Sequence, residues 1–411
     1  MDAATARPAV DRTRAVRWLT YLMFFMFAMT TDSVGQIIPA VLAEFRLSMT
    51  AAGMLHYGSM AGIAGAALGL GFLADRIGRQ RTILLGLGLF ALTAYAVPAA
   101  RGFPAVVGLI VLAGAAIGIF KTGALALVGE VSATRQQLTS TMNLVEGFFG
   151  VGAIVGPLLV QQLAAHGVSW RWLYVIAGAL CTVLFAIAAR ARFPAAGAAP
   201  AAGHGPAGTL RLLSNRFALG FGFAAFAYVV VECAIYVWMP TLLGAYRGER
   251  AWLVGYALPV FFVMRALGRF LGAWLLQHVE WSLAIALSGA AIFACFLGSA
   301  LGGVGAALYL LPLAGLFMSI VYPTLNSKGI GCFANREHGA VAGIILFFTC
   351  AGAITGPLAM ARVSDAFGDA RHGFLGATGC AALLAAGLAA NWLLKPAHAQ
   401  LARFAATEGS A

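Results

Sequence analysis

Gly152-Ala-Ile-Val-Gly156-Pro157-Leu158 returns two hundred positions later as Gly352-Ala-Ile-Thr-Gly356-Pro357-Leu358. In a chain of 411 residues that interval is close to half the length. Phe148 and Phe348 match at the same interval, and a basic residue, Arg135 or Arg336, precedes each copy. Asp32 falls opposite Glu232, and Pro39 opposite Pro240 after a slip of one position. Self-similarity at a fixed long interval marks a duplicated architecture. The chain is therefore expected to form two similar halves, 1–192 and 216–411, joined by 193–215.

Hydropathy says what each half contains. Hydrophobic residues make up 61% of the chain, charged residues only 10%, and the mean hydropathy is +0.89. A water-soluble domain carries about 25% charged residues, so this chain cannot cover itself with a wettable surface. Apolar runs fall at 18–43, 51–74, 82–99, 104–129, 137–164 and 170–192 in the first half. In the second they fall at 216–245, 252–277, 281–302, 304–330, 337–362 and 372–396. Each is long enough for one crossing, which takes about 20 apolar residues. The runs are continuous rather than alternating, so they are helices, whose backbone groups are satisfied within the segment. The predicted fold is an all-α membrane protein of twelve transmembrane helices in two pseudo-symmetric six-helix bundles. Segment 193–215 is rich in Ala, Gly and Pro and is expected to be a flexible linker.

The net charge of +12 comes from Lys and Arg scattered between the apolar runs. That scatter does not suit a nucleic-acid surface, which needs clustered basic residues. Fifteen Lys and Arg fall on the side of the termini and seven on the other, which predicts cytoplasmic termini. The expected location is the inner (plasma) membrane. The six cysteines lie in or near apolar runs without a C-x-x-C pair and suit packing rather than metal binding. No catalytic motif and no phosphate-binding loop occurs, so neither an enzyme, a cofactor nor an ATP-driven pump is expected. The expected partners are a small-molecule substrate, protons and lipid. The two-half design needs no second copy.

Between the second and third runs stands Gly71-Phe-Leu-Ala-Asp75-Arg76-Ile-Gly78-Arg79. It resembles the signature loop of the major facilitator superfamily, G-x-L-a-D-r-x-G-r. The resemblance implies that family's fold and a secondary transporter. It also implies a gating latch in which Gly71 and Gly78 permit the turn while Asp75 works with Arg76 and Arg79.

Ionised side chains inside a bilayer are costly and mark function. Asp32, Glu232 and Glu146 lie within apolar runs and are the proton-coupling candidates, Asp32 first. Lys121 and Arg265 are the cationic substrate-binding candidates, with Arg269 one turn beyond. Asn143, Asn326, Tyr236, Tyr322 and Trp238 are the polar and aromatic candidates for the same role, in a wider aromatic set with Tyr57, Phe148, Phe149 and Tyr228. His56 is either a relay or a core histidine, and Lys328 is expected to snorkel. A static ion pair, such as Glu232 with Arg265, is the structural alternative to coupling.

The run from Asn143 to Pro157, Glu232 with Trp238 and Pro240, and Gly268-Arg269 look like helices 5, 7 and 8 of the fucose-permease-like proton symporters. In that branch acids on helices 1 and 4 couple protons. Asp32 matches the first, but Lys121 stands where the second would be. That departure favours an anionic cargo. The expected function is a proton-coupled secondary transporter of a small polar solute, such as a sugar acid, an organic acid or a carboxylate siderophore. The alternatives are an efflux antiporter for drugs or metabolites, and a neutral-sugar symporter.

Overall fold

The computed structural model describes residues 3–70, 73–130, 135–191, 193, 212, 214–333 and 337–408. Every regular element among them is helical. The first part of the chain forms α1 (Ala3–Thr31), α2 (Val34–Phe45), α3 (Met49–Ala52), α4 (Met54–Leu70) and α5 (Leu73–Arg76). It continues with α6 (Arg79–Ala96), α7 (Phe103–Glu130), α8 (Arg135–Ala165) and α9 (Trp172–Arg190). The second part forms α10 (Arg216–Cys233), a π-helical turn (Ala234–Trp238), α11 (Met239–Leu243) and α12 (Ala257–His278). It then forms α13 (Trp281–Met318), α14 (Val321–Gly331), α15 (His338–Phe367), α16 (Ala370–Leu394) and α17 (Pro396–Glu408).

Among the described residues, 10 helical stretches are long and apolar enough to cross a membrane. One of them, Trp281–Gly331, has 51 residues, too many for a single pass. The chain reverses within it at Gly303, whose φ of 69° and ψ of −165° are open only to glycine. α4 adds a further apolar helix of 17 residues. These are the twelve passes expected from the apolar runs.

Two boundaries differ from the sequence reading. Run 51–74 was expected to be one span, but its start is set apart as α3, which Ser48 caps by accepting from the Ala51 N–H at 3.2 Å. The span proper begins at Met54. The chain also does not stop at its last apolar run. α17 folds back so that Gln400 Nε2 donates to the Cys332 carbonyl at 3.2 Å and His398 stacks on Trp281. The proposed linker 193–215 lies almost wholly outside the described residues.

The chain separates into two compact units. One comprises Met1–Leu47 and Met54–Pro200, the other Ser48–Gly53 and Ala201–Ala411. In the first, α8 packs on α1, α4 on α7, and α6 against both α7 and α9. The repeated glycines explain the first of these contacts. A Cβ on Gly152 would stand 2.1 Å from the Phe25 carbonyl oxygen, and one on Gly156 2.1 Å from that of Met29. Small residues four apart on one helix face let backbones approach this closely in lipid. In the second unit α15 packs on α10, α13 on α16 and α12 on α13. There the matching glycines do the same: a Cβ on Gly352 would lie 2.8 Å from the Phe226 oxygen, and one on Gly356 2.8 Å from a Val230 methyl.

The duplication extends to irregularities. The helix of the first pass breaks at Asp32 and Ser33, between α1 and α2. The equivalent pass of the second unit widens into the π turn directly after Glu232 and Cys233. Breaks and π turns inside membrane helices recur at functional positions.

Candidate functional site

Each unit brings its predicted charges into an aromatic setting. In the first, Lys121 sits near the middle of α7 and is half-buried. Its ammonium lies 5.3 Å from the centre of the Phe149 ring and 6.0 Å from that of Phe24. Ring faces attract a cation within about 6 Å, and the attraction grows as water is removed. Asn143 and Glu146, one turn apart on α8, precede Phe149 by two turns and one turn, and both are exposed. Asp32 stands at the break, half-buried, and its Oδ2 accepts from the Thr31 hydroxyl at 2.9 Å. His56 is fully buried with Tyr57 edge-on beside it.

The second unit holds a tighter assembly. Arg265 on α12 places Nη2 2.7 Å from Oε1 of Glu232 on α10. The Tyr228 hydroxyl lies 3.0 Å from the same Oε1 and 3.1 Å from the Met318 carbonyl oxygen. Tyr228 stacks on Tyr322 of α14 with ring centres 5.9 Å apart and 25° between planes. Thr349 of α15 donates to the Tyr322 hydroxyl at 3.4 Å. Five helices thus contribute to one polar cluster. Its residues were all apolar-run outliers or aromatics in the sequence, except that Thr349 and the Met318 carbonyl carried no signal there. The expected Glu232–Arg265 pair is present. A charged pair in this setting gains from charge-assisted bonding but leaves a costly lone charge if one partner departs.

Other predicted residues fall elsewhere. Trp238 is fully buried and gives its indole N–H to the Pro357 carbonyl at 3.0 Å. That fixes the π turn against α15 and removes Trp238 from any surface a substrate reaches. The Tyr236 hydroxyl lies 3.1 Å from the Cys233 sulfur. Asn326 is half-buried on α14. Lys328 extends over the Trp281 ring at 5.7 Å, as a snorkelling lysine would. In the signature loop, Gly71 lies outside the described residues, as does the Asp75 side chain. Leu73–Arg76 forms one helical turn, and Arg76 is exposed. Gly78, at φ 88°, caps α6, and Arg79 at its start is buried.

Helices that cross the membrane many times, with charges held inside them, define a polytopic membrane transport protein. The chain belongs to the Major Facilitator Superfamily, whose family model matches residues 20–357. It is similar to a gallate transporter from Pseudomonas putida, at 27% identity over 84% of this chain and 85% of that one. It is 24% identical to a 3-(3-hydroxy-phenyl)propionate transporter from Escherichia coli over 45% of each chain. An L-fucose-proton symporter from Escherichia coli is 25% identical over 84% of this chain and 86% of its own. The solved structure of a variant of the E. coli fucose:proton symporter FucP aligns with a TM-score of 0.62 at 23% identity, over 90% of this chain and 97% of that one. The fold is therefore shared with that symporter.

Proposed function

We propose that this protein is a proton-coupled carrier of a small organic anion, and that the anion is an aromatic carboxylate. The observation that carries this reading is Lys121, a cation deep in a membrane helix and flanked by the Phe149 and Phe24 rings. Such a place suits a ligand that is both flat and negatively charged, because a ring stacks on phenylalanine while its carboxylate meets the ammonium. Two relatives named for aromatic acids, gallate and 3-(3-hydroxy-phenyl)propionate, support the class.

Asp32 and Glu232 are the proposed proton carriers, with Glu146 third. Arg265, Asn143, Asn326, Tyr236 and Tyr322 complete the substrate candidates. Asp75 with Arg76 and Arg79 forms the proposed latch of the alternating-access cycle. The Lys and Arg distribution supports cytoplasmic termini in the inner membrane, and the carrier is proposed to work as a monomer.

The test is uptake of labelled gallate into proteoliposomes under an imposed pH gradient. Accumulation is expected, with loss on adding a protonophore. Lys121→Ala is expected to lower uptake at least tenfold, equivalent to about 1.4 kcal/mol of lost anion binding. Gradient-independent accumulation, or a Lys121→Ala variant as active as the wild type, refutes the proposal.

A further inference from the structure

Inside the first unit, beside the break of its first pass, lies a small cavity walled by α1, α4, α6, α7 and α9. Phe90 and Ile117 belong to its apolar wall, and four hydroxyl-bearing residues complete it: Thr30, Thr31, Ser59 and Tyr174. All of these except the half-buried Thr31 are buried. The free volume is about 10 Å³. One water needs about 10–15 Å³, so the space suits a single molecule.

The four hydroxyls divide into two kinds. Thr30 donates to the Phe27 carbonyl at 2.9 Å. Thr31 has two acceptors in reach, that same carbonyl at 3.2 Å and Asp32 Oδ2 at 2.9 Å. The Phe27 oxygen already serves Thr30, and a carboxylate is the stronger acceptor, so the Thr31 proton goes to Asp32. Both threonine oxygens keep lone pairs for a further donor. Ser59 and Tyr174 are only 5% and 4% exposed, and among the described residues neither hydroxyl has a hydrogen-bond partner. A buried hydroxyl without a partner is costly, and native structures supply one, often a water. Two spare protons and two spare acceptors around a water-sized space match the two to four hydrogen bonds of one buried water.

The break gives such a water a purpose. No proline stands at Asp32 or Ser33, and Pro39 inside α2 disturbs the ladder at Gly35 instead. The Ser33 hydroxyl donates to the Met29 carbonyl at 2.6 Å, a bond that a helical Ser33 amide would make. Membrane helices break where hydroxyl side chains and ordered waters take over the main-chain groups that leave the ladder.

We infer that the first unit binds one ordered water in this cavity, with Ser59 and Tyr174 as donors and Thr30 and Thr31 as acceptors, and that the water braces the Thr31 hydroxyl against Asp32. A hydroxyl that accepts from a water donates more strongly in turn. Ser59 and Tyr174, on α4 and α9, thus act as positioning residues for a carboxylate on the first pass. Only the consequence for transport rests on the proton role proposed for Asp32.

The experiment heats the purified full-length protein and scores its monodisperse fraction for Tyr174→Phe, Ser59→Ala and the pair. Each single change is expected to lower the midpoint by a few degrees. The pair is expected to lose clearly less than the sum, because both hydroxyls serve one water. Single variants more stable than wild type would mean hydroxyls relieved of an unmet bond, and these or additive losses overturn the inference. A second measurement needs no variant. A brief X-ray pulse turns bound water into radicals that add oxygen to adjacent side chains, and Tyr174 is expected to be labelled despite its burial. An unlabelled Tyr174 overturns the water. Exchanging sodium for choline should leave the midpoint in place, and a midpoint that rises with sodium assigns the cavity to a cation instead. The brace is read separately: in an Asp32→Asn background the Tyr174→Phe loss should shrink, and an unchanged loss severs the water from Asp32. In proteoliposomes the ratio of gradient-driven gallate accumulation to gradient-free gallate exchange should fall several-fold in Tyr174→Phe. A tyrosine that only packs leaves that ratio unchanged, which overturns its positioning role. A wild type that carries no gallate refutes the carrier function alone, because heating and labelling still decide the water and the Asp32→Asn background still decides the brace.

Discussion

Replacing Gly156 with alanine adds a single methyl group where two helices of the first unit come as close as 2.1 Å to it. That methyl would stand 2.1 Å from the Met29 carbonyl oxygen and 2.3 Å from the Ser33 hydroxyl, against an ordinary contact of 3.4 Å or more. The Met29 oxygen is main chain inside α1 and already accepts from Ser33 Oγ at 2.6 Å, so it cannot swing aside. α8 and α1 must part by roughly 1 Å, losing dispersion contacts along their whole seam. Overpacking of this kind costs about 1–3 kcal/mol, and an immovable backbone atom places it at the upper end. Alanine regains about 1 kcal/mol of helix propensity, leaving a net loss of about 2 kcal/mol. Gly147, on the same helix, has nothing within 4 Å of its would-be Cβ and isolates the propensity term. Heating each detergent-purified variant and scoring the monodisperse fraction by gel filtration should show Gly156→Ala failing several degrees below wild type. Gly147→Ala should match or exceed it. The repeat supplies an internal comparison: Gly356→Ala meets the two Val230 methyls at 2.8 and 3.0 Å and the Val230 Cα at 3.1 Å, a wider gap than at Gly156, so its loss should be smaller. A Gly156→Ala protein at least as stable as wild type would refute the backbone-on-backbone seam.

Two further outcomes follow from groups at helix ends. Partial burial pushes the Glu280 carboxyl upward, but the Ser282 hydroxyl and the Lys395 and His398 charges outweigh it and hold it below its ordinary value of 4.5. A depressed carboxyl contributes stability that is full above its unfolded value and is lost as pH falls through the folded one. α17 should therefore resist protease from neutral pH down to about 4.5 and loosen below that, while Glu280→Gln should loosen it at pH 7. Protection that ignores both acid and the substitution would contradict this. Asp365 accepts from the Met49 N–H at 2.7 Å and the Thr50 N–H at 2.8 Å. In Asp365→Asn one of these acceptors becomes an NH2 group facing a donor, at a cost of about 1–3 kcal/mol. Amide exchange at Met49–Ala52 should quicken at least tenfold, and unchanged exchange would show that the carboxylate does not hold α3.

The passes were legible because a membrane helix must be continuously apolar for its whole length, a rule with few exceptions in lipid. The duplication was legible because Gly152, Gly156, Gly352 and Gly356 are each held by a close helix approach that no larger residue allows. The same logic found the acids and cations, since each interrupts an apolar run. It could not rank them. Tyr228 was one aromatic among many, because position along a sequence says nothing of what a hydroxyl meets across the bundle. One of its two acceptors is a main-chain carbonyl, present at every residue. Trp238 looked like a binding aromatic for the same reason, yet its N–H is spent on Pro357. α17 was missed because its residues are only weakly apolar, and what holds it is a set of contacts to Glu280, Trp281 and Cys332, far away in sequence. α3 was hidden inside an apolar run whose interruption, at Gly53, is a matter of capping rather than hydropathy.

The π turn at Ala234–Trp238 gives its pass one residue more than an α-helix of the same rise would use. That surplus is angular as well as linear. It rotates every side chain beyond it by roughly 100° relative to Glu232, the angle of one α-helical residue. Deleting one residue between Ala234 and Trp238 would therefore leave the membrane crossing almost unshortened while turning its far half to face different neighbours. Travel of the same bulge along the helix would have the same outcome in the intact chain, so this pass can re-aim one end without sliding through the bilayer.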